Sequence, residues 1–585
     1  MKRLLGLAVS GLMVTASAKA EQPLMVVYPP NNHETTADRI FFIGTAPAAG
    51  EVQINGQGVR RSPGGHFAPS LPLRIGENRF TLRYGTQELQ LNVIRKATTP
   101  VIPNDLAFAI DSLFPSVDLA RLPGEPICFR AIAPANATVS VNLGTTTLPL
   151  LPQPPAVQLP ANAAVLTQQE SSPLVINPGQ YGGCTIATQP GRLGQPEFQL
   201  KTAQGTIAQS VPAQIEVLSP AQLEVVEVIA ATGVARTGPS TDYSRLTPLP
   251  QGTRATVTGR EGEWLRLEYG AWIRRSETRT IPNAVPPTTL IRSARARRAG
   301  EWTEIVFPLQ VPVPITVQQG DRTFTLTLHN TTAQTDTIRL DDNPLISRMD
   351  WHQTQPGQVQ YVFHLKGQQQ WGYRLRYEGP NLILALRHPP IRAKGSSLKG
   401  ISVLLDVGHG GPEDLGARGP NGYPEKDVAL TVTKLLRDEL VKRGVTVYLT
   451  RETDVDLPLA DRIAQINQKE PTIVLSLHYN ALPDSGDALA TQGVSTFWYN
   501  PQSHRLAIFL HNYLVTELKR PSYGVYWNNL ALTRPTVAPS VLLELGFMIN
   551  PFEIEWIMNP QEQQRLAIVL ADGIIEWLTE AQKGT

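Results

Sequence analysis

Four residues in the last third of the 585-residue chain have the types and setting for hydrolytic chemistry: His409, Glu425, His478 and Glu544. Two imidazoles and one carboxylate are the donor set of an open catalytic zinc site, with a fourth position left for water. The remaining carboxylate can then act as base. Taken singly, two of these residues have plainer readings. Glu425 would suit the positive end of a helix, and His478, in an apolar strand, would pass as a satisfied core histidine. Glu544 differs, because an acid inside the apolar run "VLLELGF" is rarely buried without a partner. The other eight histidines show no paired placement, and His504 and His511, on a polar helix, read as surface residues.

The elements expected to position these groups belong to an α/β pattern that begins after Lys399. Buried-strand runs occur at 401–407, 445–450, 472–478, 494–499 and 540–547, with helical periodicity at 425–443, 459–469, 503–519 and 560–581. Strands alternating with helices predict a mainly parallel sheet covered on both faces. Working groups in such sheets collect beyond the carboxyl ends of the strands. His409 lies two residues past one strand end, His478 ends another and Glu544 lies near the end of a third, so all three are expected at one edge. In "LLDVGHGGPEDLGARG" the strand runs into a histidine flanked by three glycines, which let the backbone turn sharply and leave room for a bulky substrate.

Upstream the composition changes: of 50 prolines only 12 lie beyond Lys399, and short β-like runs alternate with Pro/Gly turns. The N-terminus carries Lys2 and Arg3, an apolar run from Leu4 to about Thr15, and small residues at Ala18 and Ala20, which is the pattern of a cleaved signal at 1–20. Export agrees with the two cysteines, Cys128 and Cys184, which in an oxidising compartment make one disulfide, two buried free thiols being the alternative. Charged residues are 17% and the formal net charge is +2, so nothing global argues for nucleic acid, and no later segment is long and apolar enough to cross a bilayer.

Residues 21–99 resemble bacterial immunoglobulin-like spacers, and 100–219 read as a second β-domain holding the cysteine pair. Residues 220–283 resemble the bacterial SH3-like family through "RTGPS", "LPQGT" and "EWLRLEYGAWI", in which Trp264 and Trp272 are core or wall-binding residues. At 287–393 "EIVFPLQ" is answered by "QYVFHLK" and "FTLTLHN" by "LILALRH", a repeat near 56 residues that suggests a pseudo-symmetric sandwich. It resembles the amidase N-terminal (AMIN-like) domain, and "IRSARARR" at 291–298 reads as a solvated linker or a contact for anionic wall or lipid. The expected fold class is therefore multidomain. N-terminal all-β modules (Ig-like sandwiches, an SH3-like barrel, an AMIN-like β-sandwich) precede a C-terminal α/β catalytic domain at 398–583 with a mainly parallel sheet.

Seven blocks of that last domain, "DVGHGG", "GARG", "EKDVAL", "LTRETD", "LADR", "SLHYNA" and "VLLELGFMIN", resemble in order and spacing the zinc-dependent N-acetylmuramoyl-L-alanine amidases, which cleave peptidoglycan. Val407 departs from the family's usual proline and affects the turn, not the ligands. The resemblance implies that His409, Glu425 and His478 bind Zn2+, that Glu544 is the catalytic acid/base, and that Arg451, Arg462 and Asn480 lie near the site. It implies peptidoglycan as partner; the β-modules add anionic envelope components as a further contact, and the resemblance to the AMIN-like domain implies the periplasm as location, with the cell wall or the exterior as alternatives. A non-catalytic wall-binding scaffold and a zinc hydrolase of another wall amide are the competing readings. In some exported relatives an inserted helix blocks the metal; here only Leu482 to Gly493 separate "SLHYNA" from the next strand, which predicts an unplugged site.

Overall fold

The structure is a computed structural model that describes residues 23–97, 102–154, 162, 164–167, 179–391 and 398–583. The signal expected at 1–20 lies outside the described residues.

In the C-terminal α/β domain six strands form one sheet. Their order is Thr446–Leu449, Ser402–Val407, Ile473–Asn480, Ser540–Phe547, Val494–Trp498, Ser522–Trp527. The first four are mutually parallel; Val494–Trp498 runs antiparallel to Ser540–Phe547 and parallel to Ser522–Trp527. The central strands are apolar almost throughout because both faces are covered. Ser522–Trp527 was not expected from the sequence: it is a half-exposed edge strand interrupted by Gly524, and so lacks an apolar run.

One face is covered by the helices Glu425–Lys442, His504–Leu518 and Pro560–Lys583. The first presents Val428, Val432, Leu436 and Leu440 and the last presents Leu566, Leu570, Ile574 and Leu578, four-residue steps that make one buried stripe on each. Each such side chain removed from water contributes roughly 1.5–3 kcal/mol. The stripe of His504–Leu518 also takes in His511, which is buried and bonded through Nε2 to Ser522 Oγ at 3.0 Å; it is not a surface residue. His504 is exposed, its ring 4.3 Å from that of Trp498.

The other face is closed differently. Helix Leu459–Lys469 buries only Arg462 and Ile466, too little to cover a sheet. Trp302 and Ala385, from the preceding β-sandwich, join Leu404, Ile466, Val474 and Val537 in one apolar cluster. The junction is reinforced where Arg387 Nη2 donates to Glu470 O at 2.7 Å and where Arg374 stacks 4.0 Å over the Trp302 ring.

That sandwich packs a five-stranded sheet against a four-stranded one around Phe307, Phe324, Tyr361 and Phe363. The two repeated segments are divided between the sheets: Trp302–Phe307 pairs with Asn381–Arg387, and Thr323–His329 with Gln358–Leu365. "IRSARARR" is not a linker. It lies in the strand Thr289–Ala299, with Ile291 and Ala294 buried and Arg292, Arg295, Arg297 and Arg298 exposed.

Earlier in the chain Cys128 and Cys184 are paired in register on neighbouring strands and joined as a disulfide. The strand Leu119–Arg121 pairs with both Ile215–Val217 and Arg254–Glu261, so one sheet runs across position 219. Trp272 is buried in this region and flanked by Arg121 and Arg266, whereas Trp264 is half-buried under Arg274. Residues 25–95 form small sheets around Ile40, Phe42, Phe67 and Phe80 and dock on the α/β domain. Among the described residues no helix is long and apolar enough to cross a membrane.

Candidate active site

The strand Ser402–Val407 ends and the chain turns at once. His409 adopts φ 56°, a left-handed conformation that costs a non-glycine residue roughly 1–3 kcal/mol and persists only where the surroundings enforce it. The surroundings here are two buried arginines. Arg462 donates to His409 O at 2.7 Å, and Arg451 donates to Gly408 O and Lys426 O, each at 2.9 Å. Arg462 is itself held by the buried carboxylate of Asp406 at 3.0 Å, which also accepts from Thr450 at 2.9 Å and Ser476 at 2.5 Å. Gly408 permits the close approach of the next strand, since a Cβ there would stand 2.6 Å from Leu477 O and 2.8 Å from the His478 ring.

Three of the four expected residues converge. His409, Glu425 and His478 each offer a ligand atom, and these atoms lie within 4.8 Å of one another. His409 Nε2 is 3.1 Å from Glu425 Oε2, His478 Nδ1 is 3.1 Å from Glu425 Oε1, and the two imidazole nitrogens are 3.3 Å apart. Glu425 opens its helix directly after Pro424, and its carboxylate accepts the N–H groups of Tyr479 and Ala417, each at 2.9 Å. Side-chain exposure is 25% for His409, 16% for His478 and 3% for Glu425, so the imidazoles meet solvent while the carboxylate lies behind them.

The electrostatics follow from that packing. Burial alone would raise the Glu425 carboxyl, but its bonds to the two imidazoles prevail and lower it to about 2. Burial would lower His409, but Glu425, with Asp414 at 2.6 Å from Nδ1, raises it to about 9. A buried anion between two imidazoles, with a further acid fixing the outer nitrogen of one of them, is the arrangement a divalent cation requires of its ligands and of the groups behind them. Gly416 completes the cradle: its φ is +68°, and a Cβ there would stand 2.5 Å from Glu425 Oε2 and 2.6 Å from His409 Cδ2. The residues present therefore fit a zinc-type ion.

Glu544 sits in register with His478 on the adjacent parallel strand. Its Oε2 is buried and has no hydrogen-bond partner among the described residues. Burial first, and the charge of Glu425 second, push it well above the usual carboxylate range. Asn480 does not join the cluster; its Oδ1 accepts from Ala481 N at 2.9 Å. Sequence reasoning passed over Asp406 and Asp414. Asp406 carries the same signal as Glu544, an acid inside an apolar strand, and Asp414 is the acid that follows the glycines.

The class this defines is an α/β domain with a mainly parallel sheet whose strand-end edge gathers two histidines and a buried glutamate that could hold a metal ion. The family model described as N-acetylmuramoyl-L-alanine amidase matches residues 403–576, and the chain belongs to that family. Among its relatives, the uncharacterized protein YqiI of Bacillus subtilis is 33% identical over 33% of this chain and 91% of its own length. The germination-specific N-acetylmuramoyl-L-alanine amidase of the same organism is 31% identical over 31% of this chain and 82% of its own. Among solved structures, the catalytic domain of CwlV, an N-acetylmuramoyl-L-alanine amidase from Bacillus (Paenibacillus) polymyxa var. colistinus, is 30% identical with a TM-score of 0.29, covering 31% of this chain and 98% of that one.

Proposed function

We propose that the chain is a zinc-dependent hydrolase that cleaves the amide joining N-acetylmuramic acid to L-alanine in peptidoglycan. The observation that carries this reading is the set His409, Glu425 and His478, with ligand atoms within 4.8 Å of one another, beside a Glu544 whose buried oxygen has no hydrogen-bond partner among the described residues. His409, Glu425 and His478 hold the ion. When bound, zinc supplies Lewis acidity toward water and toward an amide carbonyl. Glu544 takes the proton from the water that attacks the lactyl carbonyl, then gives it to the departing amine of L-alanine. Burial, and second the charge of Glu425, raise its carboxyl well above the usual range, which favours its holding a proton.

The finer assignments belong to the same reading: a signal at 1–20, then Ig-like, second β, SH3-like and AMIN-like modules at 21–99, 100–219, 220–283 and 287–393 that bring the enzyme to the envelope, with the periplasm as its place. The exposed arginines of Thr289–Ala299 suit contact with anionic envelope components. The segment Leu482–Gly493 consists of turns and irregular chain with no helix, which supports an unplugged site. Zinc content, release of peptide from purified sacculi and mass spectrometry of the products test the function together, with Glu544→Ala as control. Absence of zinc and of muramoyl–alanine cleavage overturns it, and strong dependence on an added activator overturns the unplugged site.

A further inference from the structure

A cavity of about 520 Å³ lies between the first β-region and the α/β domain. One wall is built by Ala417, Arg418 and Leu482, the other by Val27, Phe41 and Ile43. It adjoins the metal-ligand cluster, because Ala417 N donates to Glu425 Oε2 at 2.9 Å and the lining Gly416 has no side chain to stand between cavity and His409.

The far wall is fixed. Asp484, in the short segment after the second histidine, accepts from the Tyr28 hydroxyl and lies 2.8 Å from His33 Nε2, and Gly64 N donates to Glu555 Oε1 at 2.6 Å. Arg60 stacks 4.7 Å over Phe552, and Phe41, Ile43 and Ala68 share a buried cluster with Tyr523, Phe547 and Ile549. The first β-region is therefore a standing part of the cleft.

We propose that this cavity seats the peptide part of the substrate, so that the first β-region is a specificity element of the enzyme. The proposal rests on the amidase reading above, and two observations favour a peptide over a glycan. The walls are mostly apolar and suit alanine methyls. Arg418, in the lining, is exposed and makes no ion pair among the described residues, which leaves its guanidinium free for the carboxylate in which a peptide ends.

The test uses full-length protein and a synthetic peptide that begins with L-alanine, has glutamate second and ends in a free carboxylate, together with the same peptide amidated at its carboxylates. Calorimetry gives peptide Kd, and cleavage of soluble disaccharide-peptide gives KM and kcat. Arg418→Gln is expected to raise Kd and KM about tenfold for the free-carboxylate form and to leave the amidated form unaffected. Val27→Glu, which places a carboxylate in the far wall, is expected to weaken both forms, with melting temperature checking that each variant folds. Failure of the wild type to bind the peptide, or Kd and KM within twofold of wild type in both variants, overturns the proposal. Peptide binding that responds to the variants while no muramoyl–alanine bond is cut supports the cavity and overturns the amidase reading.

Discussion

His409 and Glu544, the ligand and the proton carrier of the proposed site, are held in opposite ways. The backbone around His409 is fixed by Arg451 and Arg462, with Asp406 behind Arg462 and Asp414 on the ring, whereas Glu544 keeps a buried oxygen without a hydrogen-bond partner among the described residues. A ligand gains from being fixed, because its geometry must be ready before the ion arrives. A proton carrier gains from an unsatisfied oxygen in a dry setting, because its affinity for the proton is what the reaction uses.

The contrast can be broken most completely at the ligands. Glu425→Ala or His478→Ala should abolish both zinc content, measured by elemental analysis, and peptide release from sacculi. Glu544→Gln should separate the two properties: zinc retained and kcat lowered by about 10²–10⁴-fold. If zinc is lost along with activity, Glu544 is a ligand and the contrast fails. Arg462→Lys keeps the charge but not the fork that reaches Asp406 and His409 O, and should weaken zinc binding by roughly 10–100-fold in a competition titration.

The smallest effect concerns pH in chelator-treated protein. His409 is raised to about 9 in the folded state from 6.5, so its charged form is favoured on folding. That stabilisation is complete below pH 6.5 and is lost as pH rises through about 9. Melting temperature should fall across that window in wild type, and His409→Ala should lack that component of the fall. Glu425, lowered to about 2, stays ionised throughout and adds no slope there.

Much of the site was legible because its residues break local rules. Glu544 stands out as an acid in an apolar strand, and the glycines around His409 announce a sharp turn. The same rule applied to Asp406 would have found the buried pair with Arg462. Other features leave no local trace. His33 meets Asp484 across 451 positions, a contact that no periodicity encodes. The arginine strand was hidden by a register shift between Ile291 and Ser293, which breaks the two-residue alternation and makes a paired strand look like a charged connector. His511 was misplaced because a polar residue type was weighed above its position, four residues after buried Ala507 on the apolar stripe.

The cluster in which Trp302 and Ala385 lie against Leu404, Ile466 and Val474 has a consequence for anyone shortening the chain. Excised at residue 398, the hydrolase would keep its three long helices on one side and present a bare greasy patch on the other. Such a fragment should self-associate, and a minimal soluble enzyme should begin before residue 287, where the sandwich that shields this patch starts.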